Sequence, residues 1–492
     1  MAKPGEKITS SLFWSFCEKM GAQAVSLVIS VILARLIAPE AYGVIAAVQI
    51  FTSVATTFAT GGLSSALIRK KDADDTDYSS MFYYNSVFSV VIYLAIYFSA
   101  PLLVRILNDS YDYDLLVKVL RVLGIGVLFA SFNSFYRSRL ERELAFKKTF
   151  FVTLIGTLIS ACVGIYMAYD GYGVWALVAQ NIVSYFMNSV TLVCFSKWHP
   201  KLQFSWKRLK PMLAYGYKLG ASSLLTTLYL ELNGLVIGAK HDSASLAYYK
   251  KGISFPKLIV GNIVSAINMV LFPAMSKMSK REEYVDTIRK MNKMSSFIIA
   301  PMMFGFAAVS PAFIKLLLGE QWVKCVPFLQ LACIDYALQP VGLSNLQYWK
   351  ATGKATLYLV ADIVKKVVGV GLLILAVTLS DNVMAILVAQ IISTVFGLLL
   401  NMIPQGKFLE YSVWRQLRDV LPQYSLSVVM FAIVYGIGHM MGGTAIALII
   451  QIVAGIVLYL GLAKLFKMQE LNMTVSMLKN KFNRTKIGRA HV

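Results

Sequence analysis

Apolar residues along this chain gather in long blocks parted by short polar breaks, unlike the one-sided stripes of a water-facing helix or the alternation of a half-buried strand. A bilayer core about 30 Å thick takes about 20 such residues per helix. Blocks of that length predict helices near 12–36, 44–68, 81–104, 115–136, 149–169 and 173–196, then near 212–239, 250–275, 295–318, 325–349, 355–379 and 382–404. A last pair falls near 421–438 and 444–465, which makes about fourteen spans grouped as six, six and two.

The grouping by six has a second signature. LVAQ occurs at Leu177–Gln180 and again at Leu387–Gln390, an offset of 210. At the same offset Ile182 pairs with Ile392, Ser184 with Thr394 and Phe186 with Phe396. LRVLGI from Leu120 faces LQLACI from Leu329 at 209, Asn133-Ser134-Phe135-Tyr136 faces Asn345-Leu346-Gln347-Tyr348 at 212, and Ala41-Tyr42-Gly43 faces Ala247-Tyr248-Tyr249 at 206. Matches that keep their order at a nearly constant offset mark a duplicated unit. Duplication of an even number of spans gives both halves the same orientation, the plan of two parallel six-helix lobes related by a pseudo-two-fold axis along the membrane normal. Gln180 and Gln390 are then either equivalent cavity positions or polar residues packing helix against helix.

Composition agrees with the blocks. Only 15% of the 492 residues are charged and the mean hydropathy is +0.64, where a soluble chain carries about a quarter charged residues. The formal charge of +22 changes the picture in one respect, because its bases are segregated. Arg69, Lys70, Lys71, then Arg137, Arg139, Arg142, Lys147 and Lys148, then Lys197, Lys201, Lys207, Arg208 and Lys210 fall on one set of loops, continued by Lys277, Lys280, Arg281, Arg289, Lys290, Lys293, Lys350, Lys354, Lys407, Arg415 and Arg418. The alternate loops, such as APEAYG, LNDSYDYD, AYDGYG and LSDN, are short and almost free of base. The positive-inside rule places the basic loops and both termini in the cytoplasm. Anionic lipids are the partners such a charge distribution implies, and no nucleic-acid module fits loops this short.

Residues 1–11 have no cleavage site leading into a soluble domain, so the first helix is expected to stay in the chain. Cys17, Cys162, Cys194, Cys325 and Cys333 all fall in predicted helices without CxxC spacing and read as small buried hydrophobes, not disulfides or metal ligands. Ile487-Gly488-Arg489-Ala490-His491-Val492 can be encoded by ATC GGA AGA GCA CAC GTC, which resembles a common sequencing adapter, and these residues are given no role. The organisation expected is a lobe at 1–196, a basic cytoplasmic linker at 197–211, a second lobe at 212–405, accessory helices within 406–466, a basic tail at 467–486 and read-through at 487–492.

Enzyme chemistry finds no footing. His199, His241 and His439 are scattered, there is no HExxH, nucleophile elbow or P-loop, and the outer loops are too short to shape a catalytic site; neither a catalytic residue, a metal nor a cofactor is expected. A channel would show a pore loop or ring motif, and none is present. What remains is an alternating-access transporter.

Specific motifs add a family. LARLIAPEAYGVIA (Leu33–Ala46), GLSSALIRKK (Gly62–Lys71), GYGVWALVAQ (Gly171–Gln180), VLFPAMSKM (Val270–Met278), LLGEQWVKCVPFLQ (Leu317–Gln330) and KATGKA (Lys350–Ala355) together resemble the polysaccharide transporter family, the Wzx-type branch of the multidrug/oligosaccharidyl-lipid/polysaccharide exporter superfamily. The likeness runs from about residue 10 to 405. One departure is Ala247-Tyr248-Tyr249-Lys250-Lys251, where the family more often has G-x-Y-x-x-A. The resemblance implies two six-helix lobes, two accessory helices and flipping of undecaprenyl-diphosphate-linked oligosaccharide from the inner to the outer leaflet, for O-antigen, capsule or exopolysaccharide assembly. Polymerase and glycosyltransferases of the same pathway would be partners. A multidrug or cation antiporter of the superfamily is the alternative, with a membrane-embedded polysaccharide polymerase behind it.

A diphosphate cargo needs cations in the membrane, and a glycan needs polar side chains. Lys19, Lys218, Lys257, Lys365 and Lys366 lie inside predicted helices and are the candidate substrate-binding residues; Glu18, Glu231, Asp335 and Asp362 are candidates for a coupling-ion site. A charge at mid-helix costs about 2.5–3.5 kcal/mol on insertion scales, so such residues mark function or specific pairing. Snorkelling competes with function for Lys218 and Lys257, and explains Arg35, Lys118 and Arg121. Lys365 and Lys366 lie about 15–17 Å along a helix starting near Ala355, too deep to snorkel, with Asp362 placed to neutralise one of them. Val420 to Ala463 holds no Asp, Glu, Lys or Arg, which marks the accessory pair as lipid-facing. The charge segregation predicts that Asp381→Cys reacts with an impermeant thiol reagent from outside the cell and Ser279→Cys only after permeabilisation; the reverse labelling would invert the topology.

Overall fold

The computed structural model describes residues 4–62, 66–67, 70, 72–196, 198–442, 444–474 and 476, with side chains for all of these except 4–13, 15–17 and 19. Within them the chain is all α: α1 (Pro4–Leu36), α2 (Pro39–Thr60), α3 (Asp75–Val104), α4 (Tyr113–Arg142), α5 (Phe146–Tyr169), α6 (Val174–Ser196), α7 (Trp206–Lys240), α8 (Ser243–Met275), α9 (Arg281–Leu317), α10 (Val326–Ala351), α11 (Ala355–Leu379), α12 (Val383–Leu409), α13 (Val413–Met440) and α14 (Ala445–Leu465). Among the described residues eleven helices are long and apolar enough to cross a membrane, and the protein is a multi-pass membrane protein. α7 and α11 are as long but interrupted by charge, with Lys218 and Glu231 in one and Asp362, Lys365 and Lys366 in the other. The departure at Ala247–Lys251 falls inside α8, which starts at Ser243.

Helix starts follow the caps. Pro39 opens α2, where its missing N–H costs nothing. Asp74 accepts from the Asp77 N–H at 2.9 Å while the Asp77 carboxylate accepts from the Asp74 N–H at 3.2 Å, a reciprocal cap that starts α3 six residues before its apolar block at 81. Ser412 likewise starts α13 well ahead of the block predicted at 421. Hydropathy marks only the part of a helix inside the bilayer, and caps mark where it begins.

Contacts divide the chain into two compact units, 1–248 and 249–492. Each shows the same pairings, shifted by six helices: α3 on α4, α4 on α6 and α5 on α6 in the first; α9 on α10, α10 on α12 and α11 on α12 in the second. The repeat read from LVAQ is therefore a repeat of packing. Gln180 shows why the phrase is kept in the first unit: a Cβ at Gly164 of α5 would lie 2.9 Å from Gln180 Cβ, so the glutamine sits where two helices nearly touch.

In the first unit α2 and α7 cross backbone to backbone. Gly216 and Gly220 form a G-x-x-x-G face on α7, and a Cβ on Gly220 would lie 2.6 Å from the Gly61 carbonyl oxygen. Gly62, at φ +77, turns the chain away in the left-handed region that a glycine tolerates. Thr57 and Thr227 hydroxyls join the same two helices at 3.1 Å. At the far end of α7 the Asn108 backbone N–H and side-chain amide donate to the Gly238 and Lys240 carbonyls at 3.0 and 3.2 Å, satisfying acceptors that a helix end leaves open.

The opposite end of the first unit is polar. Arg208 pairs with Asp74, Lys201 with Asp75 at 2.6 Å and Lys70 with Asp77 at 2.6 Å, while the Trp198 indole donates to Asp75 at 3.1 Å. The Arg208 guanidinium and the Asp77 N–H beside Asp74 hold its carboxyl down at about 2.

Two expectations need correcting. Cys162 and Cys194 are exposed, whereas Cys325, at the end of the 3₁₀ turn that leads into α10, and Cys333 are buried. An exposed thiol on a lipid-facing helix still has apolar surroundings, so exposure there carries little cost. The side chain of Cys17, the bases Arg69, Lys71 and Lys197 and residues 487–492 lie outside the described residues. The accessory pair is lipid-facing on one side only: Gln423, Ser427, Met430 and Val434 of α13 and Gln451, Gly455, Tyr459 and Ala463 of α14 are buried at helical spacing, and the Tyr459 hydroxyl donates to the Phe297 carbonyl of α9 at 3.1 Å. Uncharged polar residues made this face invisible to a count of charges.

The α2–α7 crossing predicts that Gly220→Ala, which forces the two backbones apart, lowers stability by about 1–3 kcal/mol, read as a lower unfolding temperature in detergent. Gly371→Ala, where a Cβ meets nothing within 4 Å, leaves it unchanged or slightly raised.

Candidate functional site

Polar residues on α2 recur at Gln49, Thr52, Ser53, Thr56, Thr57 and Thr60, three or four apart, so they share one face. That face lines two cavities of about 310 Å³ each inside the first unit, which share Thr56 and Tyr185. α4 supplies Asn133, Ser134 and Arg137, α5 supplies Thr149 and Thr153, and α6 supplies Asn181, Tyr185 and Asn188. The cleft is thus walled by hydroxyls and amides at a depth where hydrocarbon would be the default.

Several hydroxyls in and beside the cleft are tolerated because they bond their own helix. Thr60 donates to Thr56 O at 2.8 Å, Thr153 to Thr149 O at 3.0 Å and Thr157 to Thr153 O at 2.7 Å. A hydroxyl that has spent its proton keeps acceptor lone pairs. Asn133 is held across helices, donating to Tyr185 O at 3.1 Å and accepting from Ser189 Oγ at 2.7 Å.

At one end stands an ion pair that links three helices. Arg137 of α4 donates to Glu18 of α1, and the Thr149 hydroxyl of α5 donates to the other Glu18 oxygen at 3.0 Å; Arg137 Nε also lies 3.6 Å from Glu141. Glu18 is 7% exposed, so its charge depends on these donors. Arg137 was read from the sequence as a cytoplasmic-loop base. Its place four residues before Glu141 on an unbroken helix, one turn past Asn133, is the signal that would have moved it into the cleft.

The second unit holds charge instead of hydroxyls. Lys366 pairs with Asp362 at 2.9 Å, as the spacing of four predicts. Lys365 lays its stem on α12, where a Cβ at Gly397 would meet Lys365 Cδ at 2.8 Å. The turn therefore carries about one positive charge beyond its internal pair. Asp335 of α10 is 7% exposed and accepts from the Thr394 hydroxyl of α12 at 2.5 Å. Sequence reasoning missed a set of amide bonds further along α10: the Asn345 amide donates to Gln416 at 2.8 Å, the Asn345 backbone carbonyl accepts from Gln405, and Gln347 donates to Asn268 at 2.6 Å. Asn345 is the repeat partner of Asn133, and it bonds α12 through its backbone carbonyl where Asn133 bonds α6 through its side chain.

The other candidates are dispersed. Lys218 and Lys257 are exposed on α7 and α8, Glu231 is half-buried on α7, and the side chain of Lys19 lies outside the described residues. A larger cavity of about 450 Å³ lies beside Lys293, Arg418, Asp419 and Glu470, but Lys293 there sits 3.5 Å from Asp419 and 3.8 Å from Glu470, so its charges are largely compensated. Among the described residues no cluster of His, Cys, Asp and Glu has metal-site geometry.

Comparison with known proteins narrows the family. Residues 32–327 match a model described as a polysaccharide biosynthesis protein. The chain is 24% identical over 349 residues to the succinoglycan biosynthesis transport protein ExoT of Rhizobium meliloti (strain 1021), covering 70% of each chain. It is 24% identical over 344 residues to the lipopolysaccharide biosynthesis protein WzxC of Escherichia coli (strain K12), covering 68% of each. In fold it is similar to the lipid II flippase MurJ in an inward closed conformation, with a TM-score of 0.74 at 17% identity over 92% of this chain and 98% of that one.

The Glu18–Arg137 geometry predicts a coupled pair. Arg137→Gln leaves a buried carboxylate with one hydroxyl donor and destabilises the protein; Arg137→Gln combined with Glu18→Gln recovers about 0.5–3 kcal/mol of that loss, measured by thermal unfolding of the four-member cycle. Additive losses would mean the pair is not coupled.

Proposed function

This chain belongs to the polysaccharide biosynthesis protein family, and on that premise we propose that it is a flippase that carries an undecaprenyl-diphosphate-linked oligosaccharide across the bacterial inner membrane by alternating access. The cargo has three chemically distinct parts, and the protein offers a surface for two of them. The hydroxyl and amide cleft of the first unit suits a glycan, which exchanges water for neutral donors and acceptors. The lysine turn of α11 suits the diphosphate, which needs positive charge in a low-dielectric medium.

The observation that carries this reading is Lys365, a second lysine on a turn whose one carboxylate, Asp362, is ion-paired to Lys366. A lysine that deep is costly, Asp362 is already engaged by Lys366, and a multidrug exporter of cations would be served by the opposite sign. Asp362, Asp335, Glu231 and Glu18 remain the groups from which any coupling-ion site would draw. Asp335 and Glu18 are each already hydrogen-bonded by a threonine hydroxyl, so a proton or cation there would have to compete with that donor. Orientation follows the segregated bases, with both termini and the 197–211 linker in the cytoplasm.

Lys365→Ala with Lys366→Ala is expected to abolish surface polysaccharide at normal membrane abundance, with lipid-linked oligosaccharide accumulating on the inner side, while the double arginine variant retains part of the activity. Of the single variants, Lys365→Ala should lose more export than Lys366→Ala, whose charge is internally paired. Normal export by the double alanine variant would remove both residues from the site.

A further inference from the structure

Two short segments at helix starts share a pattern that the transport reading leaves unused. Phe204-Ser205-Trp206-Lys207-Arg208-Leu209-Lys210 opens α7, and Tyr411-Ser412-Val413-Trp414-Arg415-Gln416-Leu417-Arg418 opens α13. In each a serine takes the cap position, a tryptophan follows, a base comes directly after it and another about one turn on. Each follows a set of six helices.

One residue anchors inward in each, Leu209 at 1% and Gln416 at 0% exposure, whereas the tryptophans face out, Trp206 at 54% and Trp414 at 74%. The inward residue falls three positions after the tryptophan in the first segment and two after it in the second, and what the two share is the outward side. Lys207, Lys210, Arg415 and Arg418 are exposed. The first segment is not loose: the Lys201 N–H donates to Ser79 Oγ at 3.0 Å, the Ser205 N–H donates to Ser80 Oγ at 2.9 Å, and Lys201 and Arg208 are held by Asp75 and Asp74. A rigidly docked loop thus presents Leu202, 96% exposed, and the Phe204–Trp206 pair. Soluble surfaces do not hold such a patch open without a partner.

We propose that these two entries are seats for anionic phospholipid headgroups at the membrane surface, with the indole at the headgroup–acyl boundary and the flanking bases on the phosphate. Lipid is the occupant because the surfaces run into the spanning helices: on α13, Trp414, Leu417, Leu421 and Val428 form one exposed stripe leading from the cap into the bilayer. Indoles settle at that boundary, and bases beside it are drawn to anionic lipid. The seats rest on the multi-pass fold and not on the cargo, so loss of export with intact lipid binding leaves them standing.

The test uses the full chain in phosphatidylcholine vesicles, titrated with phosphatidylcholine or phosphatidylglycerol brominated near the headgroup, which quenches nearby indole emission. The signal is the emission of the natural chain minus that of Trp206→Phe/Trp414→Phe. Two bases per seat predict that phosphatidylglycerol quenches with roughly five- to thirtyfold higher apparent affinity than phosphatidylcholine. Lys207→Gln/Lys210→Gln should remove the preference at Trp206 and keep it at Trp414, and Arg415→Gln/Arg418→Gln the reverse. Lys207→Arg/Lys210→Arg, which keeps the charge, should behave as the natural chain and guards against misfolding as the cause. Equal quenching by both lipids, a preference that survives neutralisation, or no quenching by either would each overturn the proposal.

Discussion

Everything in this protein follows from one constraint: inside hydrocarbon a polar group has no water to fall back on, so each must find its partner within the protein. The backbone meets this by being helical across each described apolar span. Side chains meet it one at a time. Thr60 and Thr153 of the cleft donate to carbonyls one turn back on their own helices, Asp335 accepts from Thr394, and Glu18 takes one donor from Arg137 and another from Thr149. A polar cleft is stable at membrane depth only because these local debts are settled first. The lone pairs left over are what a polar cargo would meet.

Under that constraint a duplicated unit can diverge in chemistry while its packing stays fixed. α4 on α6 and α10 on α12 are the same contact, but the Asn133 side chain bonds α6 whereas the Asn345 side chain turns to Gln416 of α13. What lines those helices differs. The first unit lines its cleft with neutral hydroxyls and amides, whereas the second carries a charged turn on α11 and, separately, an amide bond between α10 and α13. Helix packing tolerates this because it depends on small residues at the crossings, such as Gly164 against Gln180 and Gly61 against Gly220, and not on what the open faces carry.

The ends of the helices obey a different solvent. At the start of α3, Asp74, Asp75 and Asp77 combine capping with ion pairs to Arg208, Lys201 and Lys70, and so fasten the segment between α6 and α7. Exposed pairs of this kind contribute little energy singly. Their value lies in fixing geometry, because the loop they hold is the one that displays Leu202, Phe204 and Trp206 outward.

The sequence by itself determined the membrane class, about fourteen helices and the Asp362–Lys366 pairing, since each depends on composition along the chain or on residues within one turn of a helix. It also pointed to the family through motifs that span both repeats. Tertiary structure alone decided which polar residues share a cleft. Gln49 to Thr60, Asn133, Thr149 and Tyr185 come from four helices, and neutral hydroxyls leave no mark on a hydropathy profile, so nothing in the order of residues brings them together. The same holds for Arg137, which is a loop base by charge and a cleft residue by contact with Glu18, 119 positions away. The buried faces of α13 and α14 were hidden for the same reason: whether Gln423 and Gln451 meet lipid or protein is set by the helix packed against them, and that is a fact of three dimensions.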